Sequence, residues 1–146
     1  TTHFRFGRKV YSPIIKQGDV DYLVAFELLE GLRYLDWVKP EGMVILNNHK
    51  ILPPSVSLGK AEYPADIEKT FRKFFKDRVW VINGWEIAEA IGNHQVVNIV
   101  ILGALSNFFP QVKPEQWTDA IKDLLPSRLH EINILAFNEG RAAINI

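Results

Sequence analysis

The chain contains no cysteine. Disulfides, thiolate zinc sites, cysteine-ligated iron–sulfur clusters and a cysteine nucleophile are therefore excluded within it. If the protein takes part in electron transfer, another polypeptide holds the redox groups. An excess of charge is also missing, because 17 Lys and Arg balance 17 Asp and Glu, and the pI is near 6.8. Nucleic acid and anionic membranes both select a basic face, so neither is an expected partner. The longest apolar stretch, Val96–Leu105, is interrupted by Asn98 and is too short to span a bilayer, which takes about 20 residues. The opening residues show no signal-peptide pattern, and a cytoplasmic location is expected.

Recognisable catalytic motifs are absent too. Neither G-x-G-x-x-G nor G-x-x-x-x-G-K-[ST] occurs, and the nine glycines are scattered, so no Gly-rich loop is available to cradle a pyrophosphate. The four histidines, His3, His49, His94 and His130, form no HxH or HExxH pattern, and no metal site is expected. The serines sit in no G-x-S-x-G elbow, which disfavours a serine hydrolase. No residue is assigned as a catalytic acid, base or nucleophile.

With 146 residues, 47% of them hydrophobic, the chain is one domain with a real core. Its most informative stretch runs from Asp21 to Asn47. Tyr22–Phe26 and Met43–Leu46 are short apolar runs without alternation, as expected of strands buried on both faces. Between them Leu28, Leu32, Leu35 and Val38 make a helical stripe, which Lys39-Pro40-Glu41-Gly42 stops. Parallel strands joined by a helix imply an open α/β sheet.

Around this unit, Phe4-Arg5-Phe6 and Val10-Tyr11 flank Gly7-Arg8-Lys9 and predict an N-terminal β-hairpin or two short extended pieces. A short strand is possible near Val56. Ala65–Lys76 is amphipathic, with Ile67, Phe71, Phe74 and Phe75 on one face. Val79–Ile82 reads as a third core strand, followed after Asn83-Gly84 by a helix over Glu86–Ile91 that Gly92 ends. Asn93 suits the cap of a helix over 94–109, and Pro114 opens another carrying Trp117, Ala120, Ile121, Leu124 and Leu125. In the last helix Ser127 is the expected cap, and Leu129, Ile132, Leu135 and Ala136 face inward. Only three core strands are visible where a doubly wound sheet has five or six, and the chain opens Thr1-Thr2-His3. The expectation is an open, mostly parallel Rossmann-like sheet with flanking helices, lacking its first βαβ unit and carrying an N-terminal β-hairpin. Residues 1–146 form a single, N-terminally incomplete domain on this reading.

Open α/β sheets bind ligands outside the carboxyl ends of their strands. Glu27 ends the first strand there and lies near the positive end of a helix dipole. It either hydrogen-bonds a hydroxyl of a ligand or merely stabilises its helix. Asn47, Asn48 and His49 follow the second strand and either line the same crevice or serve as ordinary loop residues. Asn98 lies inside an apolar helix, where a buried amide without partners costs about 1–3 kcal/mol, so it must bond backbone, another side chain or a ligand. The ligand-crevice candidates are Glu27, Asn47, His49 and Asn98. Gly103 and Ala104 leave a notch that close helix–sheet packing explains. Lys69, Arg72, Lys73, Lys76 and Arg78 form a basic face, which is either solvated or docks an acidic partner subunit.

Phe4-Arg5-Phe6-Gly7, Val10-Tyr11-Ser12-Pro13, Asp21–Glu27, Ala88 to Gly92-Asn93, Val97-Asn98-Ile99, Leu102-Gly103-Ala104-Leu105 and Ala136-Phe137 with Gly140-Arg141 follow one another in a specific order. In that order and spacing the chain resembles the gamma-type subunit or domain of 2-oxoacid:ferredoxin (acceptor) oxidoreductases, over most of its length. The family includes pyruvate and ketoisovalerate gamma subunits and the small subunit of indolepyruvate oxidoreductase. Its members open with a strand, a G-x-G-G-Q-G loop, a helix and another strand, which would lie before Thr1. The resemblance implies a complex that oxidatively decarboxylates a 2-oxoacid to an acyl-CoA. Thiamine diphosphate with Mg, iron–sulfur clusters and coenzyme A are then used by the complex, with thiamine and clusters on other oxidoreductase subunits and ferredoxin as acceptor. No cofactor is expected on this chain itself, although the gamma-type domain is associated with the neighbourhood of coenzyme A. The alternatives are a non-catalytic α/β ligand-binding or interaction module and, less favoured, an independent hydrolase or dehydrogenase.

Overall fold

The computed structural model describes residues 1–144. Three strands, β1 (Val20–Ala25), β2 (Val38–Asn47) and β3 (Val79–Ile82), pair in parallel in the order β1-β2-β3. Helices α1 (Leu28–Arg33), α2 (Pro54–Ser57) and α3 (Ile67–Phe75) lie between the strands in sequence, and α4 (Gly84–Ile91), α5 (Val97–Ser106), α6 (Pro114–Leu124) and α7 (His130–Ala142) follow them. No helix is long and apolar enough to cross a membrane among the described residues.

Successive residues of a strand face opposite ways, so the unalternating apolar runs supply two cores. On one face Ala25, Val44, Leu46 and Val79 pack with Leu28 of α1 and Ile67, Phe71 and Phe75 of α3. On the other, Ile45 and Ile82 pack with Ala88, Val100, Ala104 and Ala136 from α4, α5 and α7. The open, parallel, helix-flanked sheet expected from the sequence is thus formed.

Several expectations need correction. The N-terminal hairpin is not formed: residues 1–19 contain no strand, and Phe4 and Phe6 remain exposed. A lone two-stranded ribbon is marginal in water. The segment winds instead around Arg5, whose guanidinium donates to the carbonyls of Ser12 and Ile14 and pairs with Asp19. Val38, expected on the helix, and Lys39–Gly42, expected to stop it, all belong to β2, and the helix ends at Arg33. An irregularity in the pairing between Val20 and Tyr22 accommodates the Pro40 stretch. Arg78 holds it by donating to the carbonyls of Pro40 and Gly42 at 2.7 and 3.3 Å.

The residues around Val56 form the short helix α2, not a strand, with Pro54 at its first position. Phe74, Leu124 and Leu135 point to solvent, whereas Asn133 and Phe137 are buried. Ser127 caps nothing and begins a 3₁₀ turn. Asn98 is exposed, not buried, so its amide meets water. The Gly103 notch serves helix–helix packing instead of helix–sheet packing. A Cβ on Gly103 would lie 2.1 Å from the Phe137 carbonyl oxygen, and one on Gly140 would lie 1.8 Å from that of Val100. Each helix of the α5–α7 pair thus seats a glycine on the backbone of the other.

Candidate functional site

The loops after the three strands converge where ligands usually enter such a sheet. Glu27 is buried at the start of α1 and accepts there from the Glu30 amide at 2.8 Å through Oε2. Its Oε1 accepts from the Ile51 amide at 3.2 Å and the Tyr63 hydroxyl at 2.6 Å. Burial alone pushes this carboxyl up. The Tyr63 hydroxyl and the backbone amides outweigh that and hold it below the ordinary carboxylate value. Burial, then the hydrogen bond to Glu27 and its charge, push the Tyr63 hydroxyl above the ordinary phenol value. A carboxylate so placed is a weak base, and its position makes it a clasp between α1 and the loop after β2.

Asn47, at the end of the middle strand, is 1% exposed. Its Nδ2 donates to the Phe26 carbonyl at 3.0 Å, and its Oδ1 accepts from the Gly84 amide at 2.9 Å. One side chain thereby joins the ends of all three strands. The neighbouring Asn48 amide donates to the Ile82 carbonyl, and its side chain donates to Asn83 Oδ1 at 3.0 Å. The His49 carbonyl accepts from the Leu28 amide at 3.0 Å. Its ring stacks on Trp85 with centroids 4.9 Å apart and an interplanar angle of 9°, and His94 stacks on Trp85 at 4.5 Å and 18°.

The structure therefore brings Glu27, Asn47 and His49 together at the strand ends, while Asn98 lies exposed on α5. Sequence reasoning missed Tyr63, Trp85 and His94. Trp85 directly follows the Asn83-Gly84 turn, so the strand-end rule that marked Asn47 also reaches it. Tyr63 is 36 residues from its partner and gives no local signal. On α3, Lys69, Arg72 and Lys73 remain exposed, with Arg72 paired to Glu68 at 2.7 Å, and Arg78 is turned back onto β2.

No three His, Asp or Glu side chains come together as metal ligands among the described residues. The sequence also supplies no thiolate, so the donor set does not fit a cysteine-ligated iron–sulfur cluster.

A family model described as pyruvate ferredoxin/flavodoxin oxidoreductase matches residues 1–143. Indolepyruvate oxidoreductase subunit IorB of Thermococcus kodakarensis is 32% identical over 142 residues, covering 94% of this chain and 70% of its own. The protein of the same name from Archaeoglobus fulgidus is 34% identical over 141 residues, covering 94% and 69%. The one from Methanothermobacter thermautotrophicus is 33% identical over an alignment of 148 positions, covering 98% and 74%. These relatives are named for indolepyruvate, which leaves the pyruvate-specific and gamma-subunit naming without support.

Proposed function

From the premise that this chain belongs to the pyruvate ferredoxin/flavodoxin oxidoreductase family, we propose that it is the small subunit of an indolepyruvate-type 2-oxoacid oxidoreductase. The assembled enzyme oxidatively decarboxylates an aryl 2-oxoacid to its acyl-CoA and passes the electrons to ferredoxin. Thiamine diphosphate, Mg and the iron–sulfur clusters reside on partner subunits, and no step is routed through this chain. The reading places the complex in the cytoplasm.

The match over residues 1–143 carries this proposal. The strand-end geometry agrees with a supporting role, since Glu27 and Asn47 are occupied by groups of the chain itself. Co-expression with the thiamine-binding subunit tests it. CoA-dependent reduction of ferredoxin by indolepyruvate should need both chains, and a thiamine-binding subunit equally active alone would refute the assignment.

A further inference from the structure

One carboxylate oxygen closes a loop beside the strand ends. Oε1 of Glu27 accepts from the Ile51 amide at 3.2 Å and from the Tyr63 hydroxyl at 2.6 Å, so both ends of the excursion from Leu52 to Glu62 meet at a single atom. Lys50 adds to this neck, with its Nζ over the Tyr63 ring, 5.7 Å from the centroid. Beyond the neck the chain leaves the body of the domain. No residue from Asn48 to Asp66 is buried, and no side chain from Leu52 to Glu62 enters either core. The excursion is nevertheless organised from within. The backbone amides of Val56 through Ala61 donate to carbonyls between Pro53 and Val56. At its foot a groove of about 210 Å³ runs between Pro53 on one side and Leu29 and Arg33 of α1 on the other, and Glu27 lines it.

We propose that Leu52–Glu62 is a lid that swings as one body on Tyr63 and is latched shut by the bond between Glu27 and the Ile51 amide. The two anchors are unequal. Tyr63 packs against the first core and donates to the carboxylate at the shorter distance, which makes it the post. Ile51 is 61% exposed and is held by the longer bond, which makes it the end that lets go. Freeing it breaks one hydrogen bond and removes no apolar side chain from a core. Unravelling the lid breaks the bonds from Val56 to Ala61 as well, so opening costs less than melting. Compact surface loops with touching ends are frequently functional, and lids are among their uses. The swing widens the groove beside α1 and frees an acceptor position on Glu27 Oε1 for a donor from outside the chain.

The chain has no cysteine, so spin labels go only where they are placed. Labels on Leu58→Cys in the lid and Glu89→Cys on α4, both exposed positions, report their separation in the full chain and in the same chain carrying Glu27→Gln. The neutral amide is a weaker acceptor than the carboxylate, and circular dichroism establishes that each protein folds. Two separations are expected, with the minor one about fivefold more populated in Glu27→Gln. One separation common to both chains would overturn the lid. Hydrogen exchange of the unlabelled wild type gives a second reading that needs no variant. Corrected for intrinsic rates, the Ile51 amide should exchange about tenfold or more faster than the Leu58 and Gly59 amides, whose bonds travel with the lid. Equal rates would also overturn the lid, by showing that the segment unravels instead of swinging.

Discussion

Two regions hold this molecule in register by opposite means. The α5–α7 contact works by exclusion, because Gly103 and Gly140 let two backbones approach so closely that no methyl group fits between them. The carboxyl ends of the strands work by matching, because Glu27, Asn47 and Tyr63 satisfy donors and acceptors from loops far apart in sequence. The two glycines and the carbonyls they meet carry no ionisable side chain, so that fit turns on volume and not on protons. The second depends on a carboxylate and responds to protons. The two kinds of close fit fail differently, one by added volume and one by lost partners.

The largest effect is expected at the helix pair. Gly140→Ala puts a Cβ 1.8 Å from a carbonyl oxygen of α5, so the helices must separate. A loss of about 4 kcal/mol or more, read from urea unfolding, is expected. A near-neutral result would break the contrast. Next, Asn47→Ala strands the Phe26 carbonyl and the Gly84 amide, and a cost of about 3 kcal/mol in the same measurement is expected.

Glu27→Gln is smaller, about 1–2 kcal/mol at neutral pH, and its signature is the pH profile. The folded-state carboxyl lies below its ordinary value, so its stabilising contribution is present above that value and is lost as pH falls through the depressed one. The wild-type melting temperature should drop on that acid limb, and the variant's should drop less. Tyr63 has the reverse sign, being raised in the folded state. Its contribution holds below the ordinary phenol value and disappears as pH rises beyond it. Tyr63→Phe should cost about 1 kcal/mol and flatten the alkaline limb. The smallest effect, within about 0.5 kcal/mol, belongs to Asn98→Ala on the exposed side of α5.

The contrast also explains what could be read in advance. Val79–Ile82 matches its strand because an apolar run buried on both faces carries its own signature, and Gly92 and Asn93 end and begin helices through local backbone chemistry. The Gly103 notch was visible as small residues, although its partner was another helix rather than the sheet. Asn98 misled because an apolar neighbourhood in sequence does not fix which side of a helix meets water. The strand-end rule points to Glu27, Asn47 and His49 as neighbours, but not to the groups they bond. Tyr63 and Gly84 reach Glu27 and Asn47 only after the chain has closed on itself.

The single amide of Asn47 that joins three strand ends has a kinetic corollary. Both of its hydrogen bonds cross between strand-end loops and form only once all three strands are in place, so Asn47→Ala should speed unfolding more than it slows folding.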